Sequence, residues 1–481
     1  MLGLGFDIGT TTSKVALIAV DGPAVSEVSS ASAPTPATAE ELTDMTAALS
    51  RRVMGQRRAR VDAVGVASMA ESGVPVDRHG RALTPILRWD EGLGRQDAEL
   101  LADLRADLFA ATGVRLSAKT PLATWAWLRR THGSTWAQMR RWLNIADLVV
   151  RDLTGASVTD HTLAGRTGGY RLPPRHGSPA STFDQQLLEL VGLAPHRLPA
   201  VADPRQCAAA VTSAAAGRYL LTGGTPVAVA GHDHQVAAWA AGVRRPGQCA
   251  DSLGTAEAVL SLVSERPPPA SVAAAGMSLT RTPAGIHDAV VGGSATAGAA
   301  LQAWLERIPA ELRPRVLHDA AAGLDHDPEP TGQPALPYLR GRQCPQPNPI
   351  ATPSWPPDAW PLARQARAVM EGICYQGRWM AQAQGDLGAS PEHIAVIAGT
   401  RLPRLWRQTK TAVSPWPLSW VGAAEPVAAG AALLALGRAG AFGSREQALT
   451  SAPTLASETI AAGNDPHRAS FREFVRQAGR A

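Results

Sequence analysis

Lysine is nearly absent from this chain. Only Lys14, Lys119 and Lys410 occur among 481 residues, so the formal charge of +5 is carried by arginine. The arginines alternate with acids, as in RQDAELLADLRADLF at 95–109, and build no basic stripe with interleaved aromatics. That distribution argues against a nucleic-acid partner. Cysteine is also sparse: Cys207, Cys249, Cys344 and Cys374 lie far apart, with no CxxC pair and no histidine at ligand spacing. A zinc or iron–sulfur centre is therefore not expected, and the thiols should be reduced. No stretch offers the roughly 18 uninterrupted apolar residues of a membrane span, and the N-terminus reaches Asp7 without a basic-then-apolar leader. A soluble, cytoplasmic chain with no membrane partner is expected. Neither GxxxxGK[ST] nor a GxGxxG opening a helix occurs, which removes the P-loop and Rossmann routes to nucleotide binding.

What is present favours an α/β chain of two domains. The length and an apolar share of 45% allow two well-filled cores. Small and β-branched residues alternate over 2–20 around a Gly-Thr turn, which predicts two strands in a tight hairpin. VDAVGVASM at 61–69 reads as a buried strand. Helical spacing follows over 95–109 and 123–143, with Trp125, Trp127 and Trp136 read as core. A second strand-turn-strand signal lies at 249–263 (CADSLGTAEAVLSLV), after an Ala/Gly-rich stretch at 226–243 suited to crossing between lobes. Aligning Gly9 with Gly254 sets Thr10 on Thr255 and Asp7 on Ser252, a weak internal repeat. The boundary is placed near 243–247, giving domains 1–244 and 245–481. Proline-rich stretches at 31–38, 323–337 and 344–361 read as surface loops, and 361–384 and 425–437 as late helices.

Three segments carry chemistry. In DIGTTTSK, glycine lets the backbone approach an anion closely and the threonines add donors, so Gly9, Thr10, Thr11 and Thr12 can clamp a phosphate, with Lys14 adding charge. Asp7, at the end of the first strand, can hold Mg²⁺ directly or through water. The plainer reading is a hairpin with polar tip residues. DSLGTAEAV repeats the turn chemistry at Gly254 and Thr255, and two such clamps suit the polyphosphate of ATP. In AGHDHQVAAWAAG, Asp233 stands between His232 and His234 at a helix start, where a carboxylate can take the proton of an attacking hydroxyl; the plainer reading is a helix cap. Three adjacent residues cannot easily present ligands to one ion, which disfavours a His-Asp-His metal site.

Together these segments resemble the FGGY carbohydrate kinase family, over nearly the full length. DIGTTTSK is similar to its first phosphate motif, SLGTAEAV to its second, and GHDHQVAAWAAG to its catalytic motif. VGVASMAESGVPVDRHGRALTPILRWDE resembles its substrate segment; WLNIADLVVRDLTGASVTDHTLA, GGSATAGAALQAWL, LPYLRGRQCPQPNP, EGICYQGRW and PVAAGAALLALG match further stretches in order. The resemblance implies two actin/hexokinase-like (ribonuclease H-like) domains with a cleft between them. It implies an ATP- and Mg²⁺-dependent kinase acting on a hydroxyl of a small carbohydrate, with Asp233 as general base. Asp7 and Asp233 would neighbour the metal, Gly298, Gln302, Gly399 and Thr400 the nucleotide, and Met69, Glu71, Trp89, Asp90, Asp233 and His234 the substrate.

Glu71 takes the place of the hydroxyl-binding glutamate of glycerol kinases, and Trp89 that of a tryptophan packed on carbon; both choices suit a sugar. The sequence departs elsewhere. Ala70 replaces the arginine of those kinases, the Met-His-Gly triplet of xylulokinases is absent, and AGTRLPRLWRQ keeps only Gly399 of the family's adenosine turn. Lys119 falls by register near a substrate-lining position, where it would indicate an acidic sugar, or else is a surface lysine before Pro121. A homodimer is plausible by the same resemblance. The competing function is a nucleotide-binding regulatory protein on the same fold.

Overall fold

A computed structural model describes residues 1–55, 60–399, 402–444 and 447–480. The chain forms two compact units that interleave along the sequence: Met1–Arg244, Leu279–Asp288 and Ala423–Ala456 in the first, and Arg245–Ser278, Ala289–Gly422 and Ser457–Ala481 in the second. A crossing at 244 is thus the first of several.

The first unit is built on a sheet of β1 (Leu2–Ile8), β2 (Thr12–Asp21), β3 (Ala24–Pro34), β4 (Ala63–Ser68) and β5 (Pro226–His232), in the order β3-β2-β1-β4-β5, with Ala209–Ala210 outermost. β1, β4 and β5 are parallel; β2 and β3 run antiparallel. β1 and β4 are apolar on both faces because both faces are covered. Leu4, Phe6 and Ile8 join a core with α1 (Ala39–Met54) and α2 (Ile145–Thr154). The opposite side of β1 carries Gly3 and Gly5, against which the late helix α4 (Pro426–Arg438) packs; α3 is Asp233–Ala240.

α4 explains why the chain returns to this unit. Nearly every residue of PVAAGAALLALGR is buried, so the helix has no face to leave in water. Its backbone lies so close to the sheet that a Cβ on Gly5 would overlap the carbonyl oxygen of Ala428, and one on Gly65 that of Ala431. Gly5→Ala is therefore expected to destabilise the chain by about 3 kcal/mol through forced displacement of the helix, read as a lowered urea midpoint at unchanged m-value.

Residues 87–201 add a second core in this unit, with Trp125 and Trp142 edge-to-face at 5.9 Å. Trp125 is fully buried, while Trp127 and Trp136 pack partly buried against the cluster. The helical pattern read over 123–143 ends sooner: helices Pro121–Thr131 and Gly133–Gln138 give way to a strand, Arg141–Asn144, paired with Gly73–Val76. The proline stretch at 31–38 differs too, since β3 runs through Pro34; an edge strand needs no ladder donor there. Residues 226–243 stay wholly in the first unit, as β5 and α3.

A second sheet comprises β6 (Gln248–Leu253), β7 (Glu257–Val263), β8 (Ser278–Arg281), β9 (Asp288–Ser294), β10 (His393–Ala398), β11 (Leu418–Val421) and β12 (Ser457–Ile460), in the order β8-β9-β7-β6-β10-β11-β12. β6 pairs antiparallel with β7 and parallel with β10, which is parallel to β11. The first sheet's order β3-β2-β1-β4-β5 recurs as β9-β7-β6-β10-β11, and the Gly9–Gly254 alignment marks the same hairpin turn in each. Lys410 is buried between Asp251 and Glu257, 2.7 Å from Glu257 Oε1. The four cysteines are unbonded thiols, and burial pushes Cys207 up to about 11 and Cys249 and Cys344 up to about 12.

Candidate active site

Three parallel strands of the first unit end side by side. Asp7 and Ile8 of β1 lie opposite Ala67 and Ser68 of β4, and Gly231 and His232 of β5 lie opposite the same two residues. The Gly9–Thr12 turn, Met69–Glu71 and Asp233 all follow these ends, the position at which parallel sheets bind ligands. β5 reaches it through a bulge between Val229 and Gly231, where Gly231 takes φ +128° and a side chain would overlap Thr162 Oγ1. Thr162 Oγ1 accepts the His232 N–H at 2.8 Å and donates to Asp160 Oδ1 at 2.5 Å. Buried Arg438, at the end of α4, ion-pairs with Asp160 Oδ2 at 3.3 Å and donates to the carbonyls of Pro204, Val229 and Pro283. The bulge that sets out Asp233 is thus fixed by hydrogen bonds from several segments.

Asp233 is the first residue of α3, and its Oδ1 accepts from the His234 N–H at 2.6 Å and lies 3.1 Å from His232 Nε2. Burial pushes His232 down to about 4, so its ring is neutral at pH 7. Its Nδ1 is buried and has no hydrogen bond among the described residues. Asp7 is buried beside this group. Burial, and then the charge of Asp233, push its carboxyl up to about 7 against the opposing pull of Lys14. Lys14 itself ion-pairs with Glu425 at 2.7 Å.

The substrate segment adjoins the first turn. Thr10 Oγ1 accepts from Trp89 Nε1 at 2.9 Å and donates to Met69 Sδ at 3.4 Å, and the Trp89 backbone N–H is held by Ser72 Oγ. Trp89 leaves 36% of its surface exposed, a flat apolar face beside polar groups. Glu71, with 8% of its side chain exposed, lies in the left-handed region, φ +66°, a strained geometry for glutamate. Arg166 grips Glu71 Oε1 through Nε at 3.2 Å and Nη2 at 2.5 Å, and Lys119 Nζ stands 3.6 Å from Oε2 and 5.9 Å from the Trp89 ring centroid. Burial alone would raise this carboxyl, yet Lys119 and Arg166 hold it at about 2. Asp90 is turned to its own neighbour: Arg88 holds both its oxygens at 3.1 Å. His234 is exposed, its ring 5.5 Å from that of His232.

The remaining positions belong to the second unit. The Gly298–Leu305 helix starts on the second Gly-Thr turn, with Gly298 N–H donating to Gly254 O and Ala299 N–H to Thr255 O, both at 3.0 Å. Leu253 of β6 pairs with Ala398 of β10, so Gly254 and Gly399 leave neighbouring strands at the same level. The exposed side chain of Gln302 donates to Glu306. Thr400 lies outside the described residues.

Profiles of a single family cover both units. The one described as "FGGY family of carbohydrate kinases, N-terminal domain" matches residues 2–240, and its C-terminal counterpart matches 249–438. The chain belongs to the FGGY family of carbohydrate kinases. It is 28% identical over 404 residues to the xylulose kinase of Streptomyces rubiginosus, covering 80% of this chain and 76% of that one. It is also 25% identical to the xylulose kinase of Escherichia coli (strain K12), over 98% of each. Among solved structures it is similar to gluconate kinase from Lactobacillus acidophilus, with a TM-score of 0.85 at 19% identity over 99% of this chain and 96% of that one. The fold is thus the two-domain actin/hexokinase-like fold, and the enzyme class is carbohydrate kinase with ATP as phosphate donor.

FGGY membership raises the question of a divalent ion. No group of three or more ligating side chains that could hold one occurs among the described residues. Asp7 and Asp233 nevertheless fit Mg²⁺, which takes one or two carboxylates and fills its other positions with waters and phosphate oxygens. The crowding that raises Asp7 is what a cation there would relieve. Nor is any helix among the described residues long and apolar enough to cross a membrane.

Arg166 was not legible from the sequence. The only available signal was negative: Ala70 stands beside Glu71 where glycerol kinases carry arginine, and Arg166 brings a guanidinium to the same carboxylate from 95 residues away. Lys119, legible either as a surface lysine or as a pocket residue, lies with a third of its side chain exposed beside Glu71.

Proposed function

We propose that this kinase transfers the γ-phosphoryl group of ATP to a hydroxyl of a small ketose, polyol or sugar acid, with Asp233 as general base. The carrying observation is Asp233 itself, held at the start of α3 by the His234 N–H, with His232 Nε2 3.1 Å away, at the shared end of three parallel strands. One carboxylate suffices to accept the hydroxyl proton, since phosphoryl transfer needs mainly alignment and charge neutralisation. Neutral His232 stands beside the carboxylate without supplying a competing charge.

Gly9, Thr10, Thr11, Thr12 and Lys14 serve one phosphate group and Gly254 and Thr255 another, while Gly298, Gln302, Gly399 and Thr400 serve the nucleoside end. Mg²⁺, held by Asp7 and Asp233, supplies charge neutralisation to the polyphosphate when bound. Trp89 covers C–H surface of the sugar, and Met69, Glu71 and His234 line its polar edge. Asp90, already paired with Arg88, contributes only through that pair.

ADP release measured with ATP, Mg²⁺ and a panel of pentuloses, hexuloses, polyols and sugar acids tests the reading. At least one member is expected to raise turnover well above the ATP-only rate. If none does while ATP still binds, the chain is instead a nucleotide-binding regulatory protein, a reading that the altered AGTRLPRLWRQ segment favours.

A further inference from the structure

The charges around Glu71 do not cancel. Arg166 commits Nε and Nη2 to Glu71 Oε1, which accounts for that carboxylate's single negative charge. Lys119 is the second cation facing this one carboxylate. Its ammonium stands 3.6 Å from Oε2, beyond hydrogen-bond length, and makes no hydrogen bond among the described residues. The chain's other two lysines are each seated on a carboxylate at 2.7 Å, Lys14 on Glu425 and Lys410 on Glu257. Lys119 alone keeps its three donors unspent, with 34% of its side chain exposed and Nζ 5.9 Å from the ring of Trp89.

Its position is fixed rather than loose. Ser117 N–H donates to Thr120 Oγ1 at 3.1 Å and Thr120 N–H to Ser117 O at 3.0 Å, closing the turn that carries Lys119 just before the Pro121–Thr131 helix. The cluster thus presents a cation with no hydrogen bond among the described residues at the end of an exposed indole face. A ligand that uses all of these has a carbon chain for Trp89, hydroxyls toward Asp233 and one negative charge for Lys119.

Resting on the kinase reading above, we propose that the acceptor is a small polyhydroxy acid, an aldonate-type sugar acid whose carboxylate is bound by Lys119. A monoanion matches the one positive charge by which Arg166 and Lys119 exceed Glu71; a phosphate ester dianion would leave a negative charge unbalanced there. In the reaction the acceptor hydroxyl oxygen bonds to the γ-phosphorus, the bond from that phosphorus to the bridging oxygen of ADP breaks, and the hydroxyl proton passes to Asp233. The carboxylate takes no part in bond making.

The test is steady-state kinetics of the full chain with Mg-ATP and matched acceptors that differ only at C1: an aldonate, the corresponding alditol and the corresponding ketose. The wild type is expected to favour the aldonate in kcat/KM by roughly 10- to 100-fold, the scale of a charge-assisted hydrogen bond. Lys119→Met should collapse that ratio toward one, mainly through the aldonate KM, and Lys119→Arg should restore part of it; thermal midpoints establish that each variant is folded. A wild type that phosphorylates the ketose or alditol as well as the aldonate overturns the acid assignment and leaves the kinase reading standing. So does a Lys119→Met variant that weakens acid and neutral acceptors alike, which would make Lys119 a support for Glu71 only. Failure to phosphorylate any of the three, or any member of the wider panel, overturns both.

Discussion

Asp233→Asn is expected to lower kcat by roughly 10²- to 10⁴-fold, with the KM for the acceptor held within a few-fold. The substitution is nearly isosteric. Asn Oδ1 still accepts from the His234 N–H, so the bulge at Gly231 and the start of α3 should keep their geometry. What disappears is the ability to take up the hydroxyl proton at the moment the phosphoryl group moves. Loss confined to kcat separates a base from a binding group, which would raise KM instead. Steady-state rates on any acceptor found in the panel, with a thermal midpoint to establish folding, decide the matter. A variant retaining a third or more of wild-type kcat removes Asp233 from the base role.

Asp7→Asn should produce an opposite pair of effects, higher stability and much lower activity. The carboxyl of Asp7 sits at about 7 in the folded protein against an ordinary 3.8, because burial and then the Asp233 charge oppose its ionisation. Between those values the folded chain keeps a proton that the unfolded chain has lost. The associated stability is complete below pH 4 and is lost as pH rises through 7. A shift of this size has a ceiling of about 4 kcal/mol, and about 2 kcal/mol is a reasonable yield after relaxation and water entry. Asparagine carries no such penalty. The variant should therefore match the wild type near pH 4 and exceed it by about 2 kcal/mol at pH 8 in urea unfolding without divalent ions. Added Mg²⁺ with ATP should narrow the gap by stabilising the wild type alone. Activity should fall by roughly 100-fold or more, as expected where a strained charge is kept for function. A variant less stable than the wild type at pH 8, or one with unaltered Mg²⁺ dependence, would detach Asp7 from the ion.

The two effects share one physical origin. Two carboxylates at the shared end of parallel strands repel each other in a poorly hydrated place, and the fold tolerates that cost because Lys14 and the Arg438–Asp160 pair hold the surrounding segments. Breaking the fixture and removing the charge are therefore distinguishable experiments.

Much of the local structure was legible from residue order. The hairpins at 2–21 and 248–263 follow from a Gly-Thr turn between β-branched runs, and the α3 start at Asp233 from a strand running into Ala-rich helix. Such patterns are readable because turn geometry and strand alternation depend on neighbours a few residues apart. The recurring strand order, and with it the pairing of Gly9 with Gly254, was visible only as a faint repeat. Strand order in a sheet is a matter of long-range pairing.

By itself, then, the sequence determined the two Gly-Thr turns, the carboxylates Asp7 and Asp233 and the helix that carries the second of them. Tertiary structure alone decided what surrounds those groups. Arg166 reaches Glu71 across 95 residues, Arg438 reaches Asp160 across 278, and α4 rejoins the first sheet nearly 200 residues after the chain has left it. Forty-three arginines look alike in a sequence, and only burial selects which must meet a carboxylate, because a charge taken out of water has to find its partner wherever the chain supplies one. That selection set Lys119 beside Glu71 with no hydrogen bond among the described residues, and so gave the acidic-acceptor reading of Lys119 a place in the fold.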